Sequence, residues 1–315
     1  MSRIVYFNGR FVPEHGARLS IYDSALLLGD MAYEVTRTVR QRPYRLRDHL
    51  VRLQRSLAAL RIEPGFSIDD LERITLETLE RNRPLEADDV DWNIIHNVSR
   101  GPADDFRAAF APEELRPTVL VSCFPMHEKL AKLAPSYTCG VDLVVPAQRS
   151  IPSSLLDAHI KFRSRVHFQL ANLQAREKSP GAMAALLDPD GYLTEGTSGN
   201  LFCVERGRLI TPTSRNILPG ITRDVVLHLA ARLGIPAEEA DISVDRASEA
   251  GEMFVTSTSI GILHARSFEL HAIGGGQMGS ITAMLRAALG DEIGLDFAAQ
   301  ALAYAAKFGR DASAD

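Results

Sequence analysis

Apolar residues at positions 46, 50, 53, 57 and 60 recur with the period of one helix face. The stretch 67–83, "SIDDLERITLETLERNR", repeats that period, and Ser67 is placed to cap it. Between and around these helices the pattern changes to strands. "IVYFNGRFV" holds two short apolar runs about Asn8-Gly9, a strong hairpin signal. "SALLLGDMAYEVTRTV" turns at Gly29-Asp30 into a run rich in β-formers, and "DVDWNIIHNVSRG" and "RPTVLVSCFPM" predict two more strands. This first unit ends near Met126. "HEKLAKLAPSYTCG" has the look of a linker.

Beyond it the pattern predicts a strand in "VDLVVPA", a helix in "RVHFQLANLQAREK" and a strand in "AMAALLD" before the turn "PDG". "ERGRLITP" predicts a hairpin, "LPGITRDVVLHLAARLGI" a turn and a helix, and "EMFVTSTSIGILHARSF" a late strand with its loop. "SITAMLRAAL" and "DFAAQALAYAAKF" predict closing helices. The expected organisation is two α+β domains, 1–126 and 139–315, joined by a linker over 127–138, with a ligand between them. No internal repeat is visible.

Composition narrows the class. The chain has 315 residues, 45% hydrophobic and 24% charged, the mix of a globular protein. A net charge of −5 with scattered arginines argues against nucleic acid. No apolar run reaches membrane-spanning length, and the start carries no signal-peptide pattern. Three cysteines without a CxxC pair suggest reduced thiols in a cytoplasmic protein, with core packing the simplest role.

Several residues stand out chemically. Lysine is scarce, at 129, 132, 161, 178 and 307. Lys161 alone lies where a loop meets an amphipathic helix, with Arg163 and Arg165 beside it. Nearby positive charge and partial burial lower a lysine pKa, as amine chemistry requires; a surface lysine is the plainer alternative. Pro219-Gly220 followed by Ile221-Thr222 opens a helix, whose first amides suit a phosphate, or the helix is an ordinary capped one. "VTSTSIG", with Thr258 and Ser259, offers further hydroxyls and amides at a strand end. Glu195 stands in "YLTEGTSGNLF", where a carboxylate can hold a ring nitrogen protonated or serve as a strand-edge ion-pair residue. Gly196, Gly199 and Asn200 are expected to take turn conformations closed to bulkier residues.

Other patterns are dismissed. "GGGQMG" matches GxGxxG, but no second parallel strand follows to complete a dinucleotide unit. "GTSGN" lacks the spacing of the GxSxG elbow. The nine histidines form no HExxH or close metal-ligand pair.

Together, Lys161, "LTEGTSGNLF", "LPGITR" and the opening "FNGRFV…GDMAYEV…HLVRL" resemble the fold-type IV pyridoxal-phosphate enzymes, the class IV aminotransferases. The resemblance runs from Tyr6 to about Leu289 and includes the 34-residue interval from Lys161 to Glu195. It implies a smaller N-terminal domain and a larger cofactor-binding domain with pyridoxal 5′-phosphate in the cleft, and a homodimer. It implies that Lys161 forms the Schiff base and carries a proton, and that Glu195 pairs with the pyridine nitrogen. Arg52, Gly220, Ile221, Thr222 and Thr258 would hold the phosphate, and Leu218 would pack on the ring. Tyr33 and Ser259 would line the substrate pocket. Where branched-chain enzymes carry a tyrosine five residues after the lysine, this chain has Val166. The D-amino-acid enzymes' Arg-x-His pair is reduced to Arg107 with Ala109. Arg37, Arg100 and Arg107 are the candidate carboxylate clamps, with a surface or structural ion-pair role the alternative for each. The implied reaction is amino transfer between an amino acid and a 2-oxo acid in a ping-pong cycle, on a D- or branched-chain substrate. An (R)-selective amine transaminase, an aminodeoxychorismate lyase on the same fold, and a non-catalytic cofactor binder are the alternatives.

Overall fold

The computed structural model describes residues 2–309, which divide into two compact units. The first comprises residues up to Met126 together with Ile160–Arg165; the second comprises His127–His159 and the chain from Val166 onward.

The first unit is an antiparallel sheet with helices on one face. β1 (Ile4–Phe7) and β2 (Arg10–Pro13) form the hairpin foreseen at Asn8-Gly9, where both residues have positive φ, 47° and 92°. α1 (Ser24–Leu28) is capped by the Asp23 carboxylate and ends at Gly29 in the left-handed region. β3 (Met31–Val39), β4 (Arg42–Pro43), α2 (Leu46–Ala59), α3 (Ile68–Asn82), β5 (Trp92–Ser99) and β6 (Thr118–Pro125) follow. The sheet order is β2-β1-β6-β5-β3-β4. Ser67 caps α3 with Asp70 in a reciprocal box. Leu46, Leu50, Leu53 and Leu57 of α2 pack on Ala32, Val98 and Val119 of the sheet. Ile74 and Leu79 of α3 meet Trp92, Ile94 and Val121. The helical and strand periods read from the sequence are thus both core-facing periods.

Segment 160–165 completes this unit. Tyr33 N–H donates to the Lys161 carbonyl and Arg163 N–H to the Met31 carbonyl, on either side of an antiparallel bridge between Ala32 and Phe162. β4 pairs only with the far end of β3, at Thr38 and Val39, so the segment occupies the edge of β3 that β4 leaves open.

The second unit begins with a correction. Residues 127–138, expected as a linker, lie in a helix, α4 (His127–Cys139), which stacks His127 on Phe308. Its apolar positions Leu130, Ala134 and Tyr137 are buried, and Pro135 had weakened the helical signal without preventing the helix. β7 (Val141–Val144), α5 (Val166–Lys178), β8 (Met183–Leu187), β9 (Leu193–Gly196), β10 (Asn200–Glu205), β11 (Arg208–Pro212) and α6 (Ile221–Arg232) come next. β12 (Ala237–Ala240), α7 (Val244–Ser248), β13 (Glu252–Ser257), β14 (Gly261–Phe268), β15 (His271–Ala272), α8 (Ser280–Ile293) and α9 (Phe297–Phe308) finish it. The strand path is β12-β11-β10-β13-β14-β7-β8-β9, with β15 added to β14. β9 also pairs with β10 through Glu195 and Asn200, which links β10-β13-β14-β7-β8-β9 into a ring. β12, with its exposed "AEE", had no strand pattern in the sequence and forms by parallel pairing to β11. Cys123 and Cys203 are buried, and burial pushes both thiols up to about 12.

One buried group sets an acid limit on the fold. His96 of β5 is fully buried opposite Glu34, and burial lowers its imidazole to about 4. The unfolded side chain takes up a proton near pH 6.5, well before the folded one does. The stability this residue contributes is therefore complete above pH 6.5 and is lost as the pH falls toward 4. Unfolding free energy from urea titrations is expected to drop by about 3 kcal/mol over that window from His96 alone, and His96→Asn to flatten the limb. A wild-type profile level from pH 7 to 4 would exclude this.

Candidate active site

Each unit carries one group of the expected residues. In the first, β3 and the 160–165 segment present them. Tyr33 lies directly across the bridge from Lys161, and the Lys161 Nζ stands 4.8 Å from the Tyr33 ring centroid. The Arg163 guanidinium lies 3.8 Å over the same ring, and Arg165 Nη1 donates to the Tyr33 hydroxyl at 2.6 Å. Arg163 Nε donates to Asn97 Oδ1 at 2.8 Å. The Lys161 backbone is fixed by its N–H to Ser56 Oγ of α2, 3.0 Å. Burial lowers the Lys161 amine below the ordinary lysine range, and the positive charges of Arg52 and Arg165 press it further down; Tyr33 and Glu34 oppose them. This is the shift the sequence led us to expect of Lys161, with the same two causes.

Behind Tyr33 lies a buried charge cluster that sequence reasoning missed. Glu34 accepts from Arg52 Nε at 2.6 Å and Nη2 at 2.9 Å, and meets His49 Nδ1 at 2.8 Å. Burial pushes the Glu34 carboxyl up, but Arg52 and His49 outweigh it and hold it well below the usual carboxylate range. Arg52, expected at a phosphate, thus has its guanidinium oriented by Glu34. The signal was present as alternation: Tyr33 and Glu34 point to opposite faces of β3.

The three arginines named as candidate carboxylate clamps each lie beside an aspartate of the first unit. Arg37 is 1% exposed, with Nη2 3.5 Å from Asp91 and Nε donating to the Thr38 carbonyl. Arg100 pairs with Asp30 at 2.7 Å and donates to the Leu60 and Arg61 carbonyls. Arg107 is exposed and lies 3.5 Å from Asp104, one turn away. Each thus has an acid partner within its own unit, buried for Arg37 and solvent-exposed for Arg107.

In the second unit, Glu195, Leu218, Gly220, Ile221, Thr222, Thr258 and Ser259 come from β9, the turn into α6, the first residues of α6 and the β13–β14 connection. Glu195 Oε2 accepts from the Leu218 N–H at 3.2 Å, and Asn200 Nδ2 donates to the Leu218 carbonyl at 2.9 Å. The carboxylate and the turn are therefore tied together. A Cβ at Gly220 would lie 2.0 Å from Asn200 Oδ1, so any other residue there would have to displace the Asn200 amide that bonds the Leu218 carbonyl. Gly199 is needed for a similar reason: its Cβ would fall 2.5 Å from the Thr256 carbonyl oxygen. Neither Gly196 nor Gly199 has positive φ, so close backbone approach, and not the expected turn conformation, explains these small residues.

The start of α6 fits a phosphate. Its N-cap is Gly220, which has no side chain to bond the first amides, and the Thr222 side chain is buried there. The nearby β13 residue Thr256 keeps its hydroxyl buried without a partner. The "GGGQMG" segment behaves oppositely. Glu252 accepts from the Ile281 and Thr282 amides at 3.1 and 2.7 Å, so the start of α8 already holds a carboxylate.

Comparison with known proteins agrees with this chemistry. The family model "Amino-transferase class IV" matches residues 31–268. A Methanocaldococcus jannaschii protein, provisionally assigned as a branched-chain-amino-acid aminotransferase, is 31% identical over 284 residues, covering 90% of this chain and 93% of that one. The D-alanine aminotransferase of Bacillus licheniformis is 30% identical over 290 residues, covering 92% and 96%. The solved branched-chain amino acid aminotransferase of Escherichia coli superposes with a TM-score of 0.81 at 26% identity, covering 91% of this chain and 93% of that one. A further solved branched-chain enzyme of this fold carries pyridoxamine 5′-phosphate. The matched span holds both groups of residues from Tyr33 to Ser259, and the chain belongs to the class IV aminotransferases.

Proposed function

We propose that this aminotransferase works through Lys161 as its reacting amine and proton carrier, on amino acids and 2-oxo acids that bear a carboxylate. The observation that carries this is the Lys161 amine held 4.8 Å from the Tyr33 ring centroid, with burial and two arginines favouring its neutral form. A neutral amine is the nucleophile and the base that amino transfer needs. Pyridoxal phosphate, when bound, supplies an electron sink for the bond broken at the substrate Cα. The Glu195 carboxylate, aimed by the Leu218 amide, is suited to keep a pyridine nitrogen protonated. The amides of Ile221 and Thr222, the Thr222 and Thr258 hydroxyls and Arg52 are suited to a phosphate, and Leu218 to the ring face. Tyr33 and Ser259 would line the substrate side.

Relatives of both the D-alanine and branched-chain kinds support a D-amino acid or a branched L-amino acid as donor. We place the enzyme in the cytoplasm, on its unpaired cysteines, and as a homodimer. Ile21, Leu26 and Leu28 are each more than 60% exposed in the first unit, an apolar patch of the kind subunits cover. A donor panel in both enantiomers, with pyruvate and 2-oxoglutarate, tests the substrate. Turnover confined to uncharged amines would refute the carboxylate requirement, and a mass near 34.6 kDa in sedimentation would refute the dimer.

A further inference from the structure

We propose that Arg163 and Arg165, carried on Tyr33, are the residues that grip the substrate carboxylate. This rests on the transaminase assignment above and goes beyond it by naming the specificity residues.

Position is the first reason. The chain 160–165 bridges to β3 so that Lys161, Arg163 and Arg165, at every second position, all reach the same phenol. Any group bound at the Lys161 amine is therefore within a side-chain length of both guanidiniums. Charge is the second. Two guanidiniums and the Lys161 amine surround Tyr33, and Glu34, the acid that acts on that amine, is already bonded by Arg52 and His49. The contacts of Arg163 are with Asn97 and the Tyr33 ring, and no carboxylate among the described residues pairs with it. Burial and Arg165 both lower its affinity for its proton, so it is a partly desolvated cation with a like charge beside it. An anion placed there relieves both costs.

Preorganisation is the third. Stacking on Tyr33 and the Nε bond to Asn97 fix the Arg163 plane, and the Tyr33 hydroxyl fixes Arg165. A fixed guanidinium fork matches a carboxylate and loses little entropy on binding it. Arg37, Arg100 and Arg107 lack this arrangement because each is turned to an aspartate.

The test is steady-state kinetics on the holoenzyme with pyruvate and with its neutral amide, for wild type, Arg163→Met, Arg165→Met and Arg165→Lys. Either Met variant is expected to raise the KM for pyruvate about 30-fold, the worth of one charge-assisted hydrogen-bonded contact, with a much smaller change in kcat. The preference for pyruvate over pyruvamide should collapse by a similar factor. Arg165→Lys, which keeps the charge and loses the fork, should fall between. Competitive inhibition by propanoate should weaken in parallel in both Met variants, which gives a binding readout separate from turnover. An unchanged KM and unchanged propanoate inhibition would overturn the proposal. So would an equal loss for pyruvate and its amide, which marks a merely structural role, or a weakened affinity for pyridoxal phosphate in place of the oxo acid. The visible band of bound cofactor is recorded on every sample. Its absence in wild type would count against the transaminase assignment itself, while a normal band with unchanged KM would count against the clamp alone.

Discussion

Lys161→Ala is expected to reduce amino transfer by about 10⁴-fold, the scale of a lost general base that is also the nucleophile. The protein should still fold. The segment 160–165 is held to β3 through main-chain bonds at Tyr33, Lys161 and Arg163 and through the Lys161 N–H to Ser56, none of which needs the lysine side chain. The measurement is single-turnover conversion of the donor, paired with the visible spectrum of protein mixed with pyridoxal phosphate. The variant should lose both the turnover and the lysine-dependent visible band. Glu195→Gln is the informative contrast. It keeps the shape that accepts the Leu218 amide but not the charge, so it should hold cofactor and lose most turnover. Near-normal turnover in the alanine variant would remove Lys161 from the chemistry, whatever the family.

Glu34→Ala is expected to cost about 3–5 kcal/mol of folding stability, because it strands a buried charge. Arg52 is 8% exposed and gives two bonds to Glu34, and His49 gives a third contact. Removing the acid leaves the guanidinium in the core without its counter-ion. The companion variant Glu34→Leu with Arg52→Met removes both charges together and should be the more stable of the two. Urea unfolding read by far-UV circular dichroism decides it; a loss under about 1 kcal/mol for Glu34→Ala would show that the ion pair is not what holds this part of the unit. The sign with pH follows from the depressed Glu34 value. Its contribution stands above the ordinary carboxylate range and is withdrawn as the pH falls toward the folded value. Acid unfolding should therefore come in two stages, first from His96 and then from Glu34.

The same cluster links stability to the reaction. Glu34 raises the Lys161 amine while Arg52 lowers it. Releasing Arg52 from Glu34 leaves an uncompensated cation near the amine. Activity in Glu34 variants should thus change through the lysine as well as through folding.

Much of this protein was legible in the chain itself. The period of the α2 and α3 helices, the Asn8-Gly9 hairpin, the Ser67 cap and the rejection of "GGGQMG" as a dinucleotide site followed from local rules, because each depends on neighbours a few residues away. Lys161, Glu195 and the Gly220-Ile221-Thr222 turn were recognisable because their order and spacing are carried along the sequence. What stayed hidden depended on partners far away in the chain. Residues 127–138 looked like a linker until their buried face was seen. β12 exists only because β11 accepts it. Arg37 and Arg100 were candidate clamps or ion-pair residues in the sequence, and only the fold brought Asp91 and Asp30 beside them, whereas Asp104 already stood three residues from Arg107. Arg163 and Arg165 were read as neighbours that depress a lysine. Tertiary pairing to β3 turned their alternation with Lys161 into two guanidiniums and one amine on one tyrosine. The amino-acid sequence by itself determines which charges the chain owns and their local period. Which charges remain available for a substrate depends on contacts between distant residues, 54 positions apart for Arg37 and Asp91, 70 for Arg100 and Asp30 and 132 for Arg165 and Tyr33, and only the folded chain makes those contacts.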